Sequence, residues 1–303
     1  MITRDIQAFV SHVRTLAHDF GPPTARGAFL ISPDGFCLAH ESATDNRYMA
    51  DATRFDAACA TSEHHELHRA LSEVVPTICF PGHDDTPDAL FPNNVFATAE
   101  GRYIVGRMRH AVRQREAARD DIRAFFAGVL DYAEIDLSDQ AHPCELTGSM
   151  VIDRARGIGF CGLSERCDDV GAQLMHEAFG LRATLLFDLA PGEYHTNVVL
   201  ALLAGRAALV CPRGFADQSV VEAVKALYAP HAIVLDDAEH AAFAGNAIAL
   251  SHDVVWMSAG AERALTPGTR EALDAAGFTV RSVSLDAIEA AGGSLRCCVA
   301  ELF

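Results

Sequence analysis

The chain has 303 residues, is 50% hydrophobic and carries a formal net charge of −17. That charge argues against a nucleic-acid partner, which would select a basic surface. No apolar run reaches the roughly 18 residues of a membrane span, and Arg4 and Asp5 stand where a signal peptide needs its apolar core. The nine cysteines show neither metal nor disulfide spacing, so they read as reduced thiols in a cytoplasmic protein, most of them small core residues.

In chain order, RDIQAFVSHVRTLAHDF has a helical apolar period that ends at GPP, which predicts a peripheral helix within residues 1–20. GAFLISP follows as a strand. The segment from about 40 to 90, with TDNRY and PGHDDTPD, is polar and turn-rich, a candidate lid. It contains His64, His65 and His68 beside Glu63 and Glu66. The i,i+4 histidine pair would suit zinc, but without a third distant ligand the cluster reads as a solvated helix face.

From here the pattern repeats. NVFATAEGRYIVGRM reads as a hairpin and REAARDDIRAFFAGVL as a helix. SMVIDRARGIGFCG, DDVGAQLMHEAFG and TLLFDL read as hairpin, helix and strand, and so do NVVLALLAGRAALVCP, DQSVVEAVKALYA and AIVLDD. NAIALSHDVVWMS, GTREALDAAGF and TVRSVSL repeat the order once more. A fifth unit closes from both ends of the chain, LRCCVAELF pairing with GAFLISP. The unit is β-β-α-β, and because one unit cannot bury its own apolar face, the repeat predicts a single α/β domain over residues 1–303, closed as a ring. Gly157, Gly159 and Gly162 spell G-x-G-x-x-G, but Asp153, Arg154 and Arg156 make a charged turn there and Ile158 starts a returning strand. That context does not fit a dinucleotide fingerprint.

Asn94, Glu145, His195, Asn246 and Cys297 lie 51, 50, 51 and 51 positions apart. Equivalent positions of a closed repeat converge on its axis, so a carboxylate, an imidazole and a thiol would meet there. That is the geometry of a cysteine-nucleophile active site.

The segments LFPNNVF, CELTGSMVID, GLSERCDD, EYHTNVV, FAGNAIAL and GGSLRCCVAEL, with Arg113, Arg115 and Glu116, together resemble the pentein, or guanidino-group-modifying, superfamily. Within it the chain looks most similar to the bacterial citrulline-utilisation hydrolases. The resemblance implies a five-bladed α/β propeller of pseudo-fivefold ββαβ repeats. It implies Cys297 as nucleophile, His195 as general acid and base, and Glu145 as a hydrogen-bond acceptor that fixes the substrate nitrogens or His195. Asn93 and Asn94 would contact substrate, Arg166 would hold its α-carboxylate, and Asn197 stands where several relatives have Asp. Asn246 would set a strand entry or offer a backbone contact near the thiol. Cys298, adjacent to Cys297 on an expected strand, would point to the opposite face.

Deiminating members carry an acid at the Asn94 position. An amide both donates and accepts, which suits a neutral ureido group. The implied reaction is hydrolysis of citrulline to ornithine, ammonia and carbon dioxide, without metal or organic cofactor. Arginine dihydrolase, arginine deiminase, dimethylarginine dimethylaminohydrolase and amidinotransferase activities are alternatives, and a non-catalytic pentein is the remotest. The expected partner is a small amino-acid substrate, and a homodimer is left open.

Overall fold

The computed structural model describes residues 1–49 and 55–303. Its strands form five small sheets, and four of the units repeat one plan in full. Phe96–Ala99 pairs antiparallel with Arg102–Val105, the helix Asp120–Gly128 follows, and Ala133–Asp136 adds in parallel. Met150–Asp153, Ile158–Leu163, the helix Asp169–Phe179 and Ala183–Asp188 do the same. So do Leu200–Leu203, Ala207–Val210, the helix Gln218–Leu227 and Ala232–Val234. The unit closed from both ends of the chain joins Ala300–Leu302 antiparallel to Gly27–Ile31, then adds the helix Ala57–Ser72 and the parallel strand Thr77–Phe80.

Local chemistry accounts for these boundaries. The turn after Asp153 closes because its Oδ1 accepts from the backbone N–H of Ala155 at 3.0 Å and of Arg156 at 3.1 Å, and Gly157 takes the left-handed φ of +69° that the reversal requires. Asp168 and Asp217 cap their helices through side-chain bonds to Gly171 and Ser219. Gly159 and Gly162 sit within the returning strand, and no helix opens at the glycine triplet.

Three expectations, the Asn246 hairpin, the long N-terminal helix and the solvated face at His64, need correction. The unit at Asn246 has no full hairpin: its sheet holds Val254–Ser258 and the parallel Thr279–Val283, and the first arm is reduced to a single bridge, Ile248 to Trp256. The N-terminal helix is only Ile6–Val13, capped by Asp5, and Ile2–Thr3 pairs in parallel with Thr184 and Leu185, so the chain's start extends a sheet. The 40–90 segment holds a repeat helix and strand, Ala57–Ser72 and Thr77–Phe80, while residues 50–54 lie outside the described residues. His64 in that helix is buried and both its ring nitrogens lack partners. Burial depresses its pKa to about 4. It is therefore a neutral core group, because the helix turns that face onto the sheet.

Neighbouring units are stitched by side-chain to backbone hydrogen bonds at corresponding places. Thr98 Oγ1 donates to Glu301 O (3.0 Å), Thr147 Oγ1 to Asn93 O (3.0 Å), Thr196 Oγ1 to Ser149 O (2.6 Å) and Asn246 Nδ2 to Asn197 O (2.9 Å). Asn246 Oδ1 in turn accepts from Arg296 N at 3.0 Å. Among the described residues no helix is long and apolar enough to cross a membrane.

Candidate active site

Each first strand is entered through one tight helical turn: Pro92–Asn94, Leu146–Ser149, Thr196–Val199 and Leu295–Cys298. These turns pack on one another, and the five spaced residues sit in or beside them. Glu145 and His195 occupy the position just before a turn, where backbone N–H groups are unsatisfied. Leu146 has φ +25°, a left-handed conformation unusual for leucine and a local strain beside Glu145.

His195 and Glu145 are both fully buried. His195 Nε2 lies 2.8 Å from Glu145 Oε2, while Glu145 Oε1 accepts from the backbone N–H of Arg109 at 3.0 Å. Burial alone would push the Glu145 carboxyl up. The Arg166 charge and the His195 hydrogen bond outweigh it and hold the group below the ordinary carboxylate range. Burial lowers the His195 pKa against the opposing pull of Glu145. A neutral imidazole donating from Nε2 to a carboxylate leaves Nδ1 as the bare acceptor, and Nδ1 is buried without a partner.

Gly148 brings a second orphan to this nitrogen. A Cβ there would fall 2.6 Å from Asn94 Oδ1 and 3.0 Å from His195 Nδ1, so glycine is what leaves room for both atoms. Asn94 Oδ1 is also buried and unpartnered, as are both amide atoms of Asn93. Cys297 Sγ lies 3.4 Å from Asn246 Nδ2 and 3.9 Å from Asn197 Nδ2. Burial raises the Cys297 pKa, and the Ser294 backbone and Asn246 amide partly offset that. The side chain of Asn246, not its backbone, therefore addresses the sulfur. Cys297 and Cys298 share a helical turn rather than a strand. Successive side chains then point about 100° apart; both cysteines belong to the apolar cluster with Trp256 and Leu285, but Cys297 also lines a cavity whose lining does not include Cys298.

A cavity of about 20 Å³ lies beside the thiol, lined by Cys297, Asn94, Asp88, Arg113, Arg166 and Tyr194 among others. It holds about one water. Glu145 and His195 lie behind this lining. Arg166 does not offer a free guanidinium. Its Nε and Nη2 grip Asp45 at 3.0 and 2.5 Å, Nη2 also meets Ser42 O at 3.2 Å, and Nη1 reaches Glu145 at 3.3 Å. His110 Nε2 adds to Asp45 at 3.1 Å. The other arginine of the lining, Arg113, is bidentate to Glu116 at 2.8 Å.

Sequence reading missed Ser42, Asp45, Asn46, Asp88 and Tyr194. The only available signal was the polar character of TDNRY and PGHDDTPD, which contain Asp45, Asn46 and Asp88. In the fold, 42–49 lies over the cavity: Asn46 Nδ2 donates to Gly292 O at 3.0 Å, and Tyr194 Oη meets the same carbonyl at 2.7 Å. Asp88 accepts from Ser42 Oγ at 2.5 Å, and burial raises its pKa.

This geometry, a thiol and an unpartnered amide lining a small cavity with a carboxylate-bound imidazole behind the lining, has the elements of a cysteine-dependent C–N hydrolase. The chain belongs to the family described as N,N dimethylarginine dimethylhydrolase, eukaryotic, which it matches over residues 32–303, and with it to the pentein superfamily. Two relatives match over nearly the full length. An uncharacterised Caenorhabditis elegans protein is 25% identical over 282 residues, covering 90% of this chain and 92% of its own. The N(G),N(G)-dimethylarginine dimethylaminohydrolase of Mycobacterium tuberculosis is 24% identical over 281 residues, 92% of this chain and 87% of its own. Among solved structures, the N-terminal domain of ArgZ, a cyanobacterial arginine dihydrolase, superposes with a TM-score of 0.80 at 20% identity, covering 91% of this chain and 97% of that one. A dimethylarginine dimethylaminohydrolase adduct superposes at 0.70 and 19% identity, covering 91% and 99%. Three of these four are hydrolases of arginine or dimethylarginine by name.

Proposed function

We propose that the protein hydrolyses a ureido or guanidino amino acid, citrulline above all, to ornithine, ammonia and carbon dioxide through a covalent Cys297 adduct. One observation carries the reading: Asn94 Oδ1 and His195 Nδ1, both buried and without partners among the described residues, both border Gly148, and Asn94 lines the same cavity as Cys297. Buried polar atoms without partners are rare unless something else satisfies them. A planar ureido group offers N–H donors to Asn94 Oδ1 and a carbon to the thiol.

The sulfur adds to the ureido carbon, its proton passing to His195 Nδ1. The bond to the ornithine δ-nitrogen breaks as His195 returns that proton to the leaving amine. A carbamoyl thioester remains on Cys297. Water, deprotonated by His195, adds to it, the sulfur leaves, and the resulting carbamic acid breaks down to ammonia and carbon dioxide. Glu145 keeps the imidazole in the tautomer this sequence needs. Asn246 donates to the sulfur and favours its anion. Asn197 is the second amide beside it. The α-carboxylate would meet the one N–H of Arg166 left after Asp45, Ser42 and Glu145, and Asn93, just behind Asn94, supports the ureido site. The cavity holds about one water, so residues 42–49 have to shift to admit an amino acid.

Asp88 favours a second reading, arginine dihydrolysis. It places a carboxylate in the lining beside Asn94, so a guanidinium is not without an acidic neighbour. The five inter-unit bonds and the five sheets, four of them built on one full plan, support the further reading that residues 1–303 form one domain, a closed five-bladed propeller.

The test is product analysis. Purified protein is given citrulline, arginine and dimethylarginine separately, and ornithine, citrulline, ammonia and dimethylamine are quantified. Ornithine from citrulline is the expected result. Citrulline as the end product from arginine would make the protein a deiminase, and dimethylamine from dimethylarginine would make it a dimethylaminohydrolase.

A further inference from the structure

Away from the thiol, the chain's overall charge is locally reversed. A cavity of about 390 Å³ is lined by Phe20, Pro22, Arg26, Arg102, Arg154 and Phe303, with Glu100 the acidic side chain among its lining residues. Small-molecule sites usually span about 300–1,000 Å³. In a chain with 41 acidic and 24 basic residues, three arginines around one cavity stand out.

Arg154 is the anchor. It follows the strand Met150–Asp153 directly, and it is only 8% exposed. Its guanidinium sits between two rings, 4.1 Å from the centroid of Phe303 and 5.1 Å from that of Phe179, and Nη1 donates to Thr98 O at 3.1 Å. Among the described residues no carboxylate pairs with it. Glu301, whose charge acts on it, is held by Arg296 at 2.8 Å. Burial, helped by the charges of Arg296 and Arg102, depresses its pKa to about 10. The same Phe179 ties Arg102 into place, Nη2 donating to its carbonyl at 3.4 Å, and Gly180 leaves room for that guanidinium. Arg26 is exposed at the rim.

We propose that this cavity binds a small organic anion bearing a planar apolar ring, its phosphate or carboxylate between Arg102 and Arg154 and its ring against Phe20 and Phe303. A buried cation without a paired anion is costly, and arginine's planar fork matches phosphate and carboxylate oxygens two at a time. Aromatic walls supply the rest. The Gly157 turn packs against the Phe20 ring, and a Cβ at Gly157 would lie 2.5 Å from it.

The experiment uses the whole protein, calorimetry and thermal shift, with AMP, benzoate and inorganic phosphate as separate probes. AMP or benzoate is expected to bind saturably below 1 mM, as an order-of-magnitude mark for a site of this size, with inorganic phosphate at least tenfold weaker. The first two probes tell a phosphate-bearing ligand from a carboxylate-bearing one. Binding should persist in Cys297→Ser and resist competition by ornithine, and fall at least tenfold in the rim double variant Arg26→Gln/Arg102→Gln. Arg154→Met should abolish it, and the rim variant keeps the test open if Arg154→Met does not fold. Absence of saturable binding by all three probes, displacement by ornithine, undiminished binding in the rim variant, or phosphate as tight as AMP and benzoate would each overturn the proposal.

Discussion

Glu116 and Glu145 are both completely buried beside an arginine, and their pKa values move in opposite directions. Burial drives Glu116 up to about 7 despite the bidentate grip of Arg113. Glu145 experiences the same burial and is held below the usual range, because Arg166, His195 and the Arg109 backbone N–H all favour its anion. One partner does not compensate the loss of water, whereas several do. The first pair is a strut under the cavity. The second is a charge held ready for chemistry, and the difference between them can be broken residue by residue.

The largest effect should come from the thiol that the Glu145 network serves. Cys297→Ser should reduce kcat by about 10⁴ or more, the scale of nucleophile deletions, and iodoacetamide labelling should be lost with it. Labelling at Cys298 instead would show that the wrong sulfur has been assigned.

Glu145→Gln comes next, with an expected loss in kcat of roughly 10²–10⁴. Its pH signature separates chemistry from packing. Glu145 pulls the His195 pKa up against burial, so removing its charge lets that pKa fall further. Catalysis by a neutral imidazole then survives to lower pH, and the acidic limb of the kcat/KM profile should move down. A profile that keeps its limbs and only loses height would assign Glu145 a structural role.

The Arg113–Glu116 strut should answer in stability. Arg113→Met strands a buried carboxylate and should cost about 3–5 kcal/mol in denaturant unfolding, whereas Arg113→Met with Glu116→Leu should recover most of that. The pH sign also follows. Glu116 holds its proton in the folded state up to about 7, while an unfolded glutamate releases it near ~4.3. The folded state therefore binds more protons in that window, and this contribution is present at low pH and lost as pH rises toward 7. Relative to Glu116→Gln, the wild type should lose stability from pH 5 to 7, and a flat difference would remove Glu116 as the titrating group.

The sequence carried the five units, because hairpin, helix and strand each leave a periodicity, and four of them are present in full. The spacing of Asn94, Glu145, His195 and Cys297 was equally legible, since a repeat translates position into convergence. What it concealed lies between the units. Asp45 and Ser42 stand in an insertion with no period, yet they engage the arginine expected to hold substrate. Asn246 resembled a strand entry because nothing in a sequence shows where an amide points. Cys298 was placed on the far face of a strand, but one helical turn intervenes before Ala300.

Asn94→Asp probes substrate charge. A carboxylate in place of the orphan amide should weaken citrulline turnover about 10- to 100-fold, the worth of roughly one hydrogen bond involving charge, and improve the ratio of arginine to citrulline turnover. If citrulline turnover is unaffected, Asn94 does not contact the reacting group, and Asp88 becomes the residue that sets charge preference.

The smallest effect is expected at Cys298. It lies in the cluster with Leu285, Ile288 and Trp256 and is fully buried, and burial pushes its thiol far above the ordinary range. Its thiol resists ionisation more than an ordinary cysteine's, and it is not among the residues lining the cavity. A serine there places a hydroxyl among apolar side chains, and an unsatisfied buried hydroxyl costs about 1–3 kcal/mol. The expected variant has a lower unfolding midpoint and an unchanged kcat for the folded fraction. A large loss of kcat at full stability would show that the helical turn Leu295–Cys298 presents both sulfurs to the substrate, and that the asymmetry between the two adjacent cysteines is smaller than their surroundings imply.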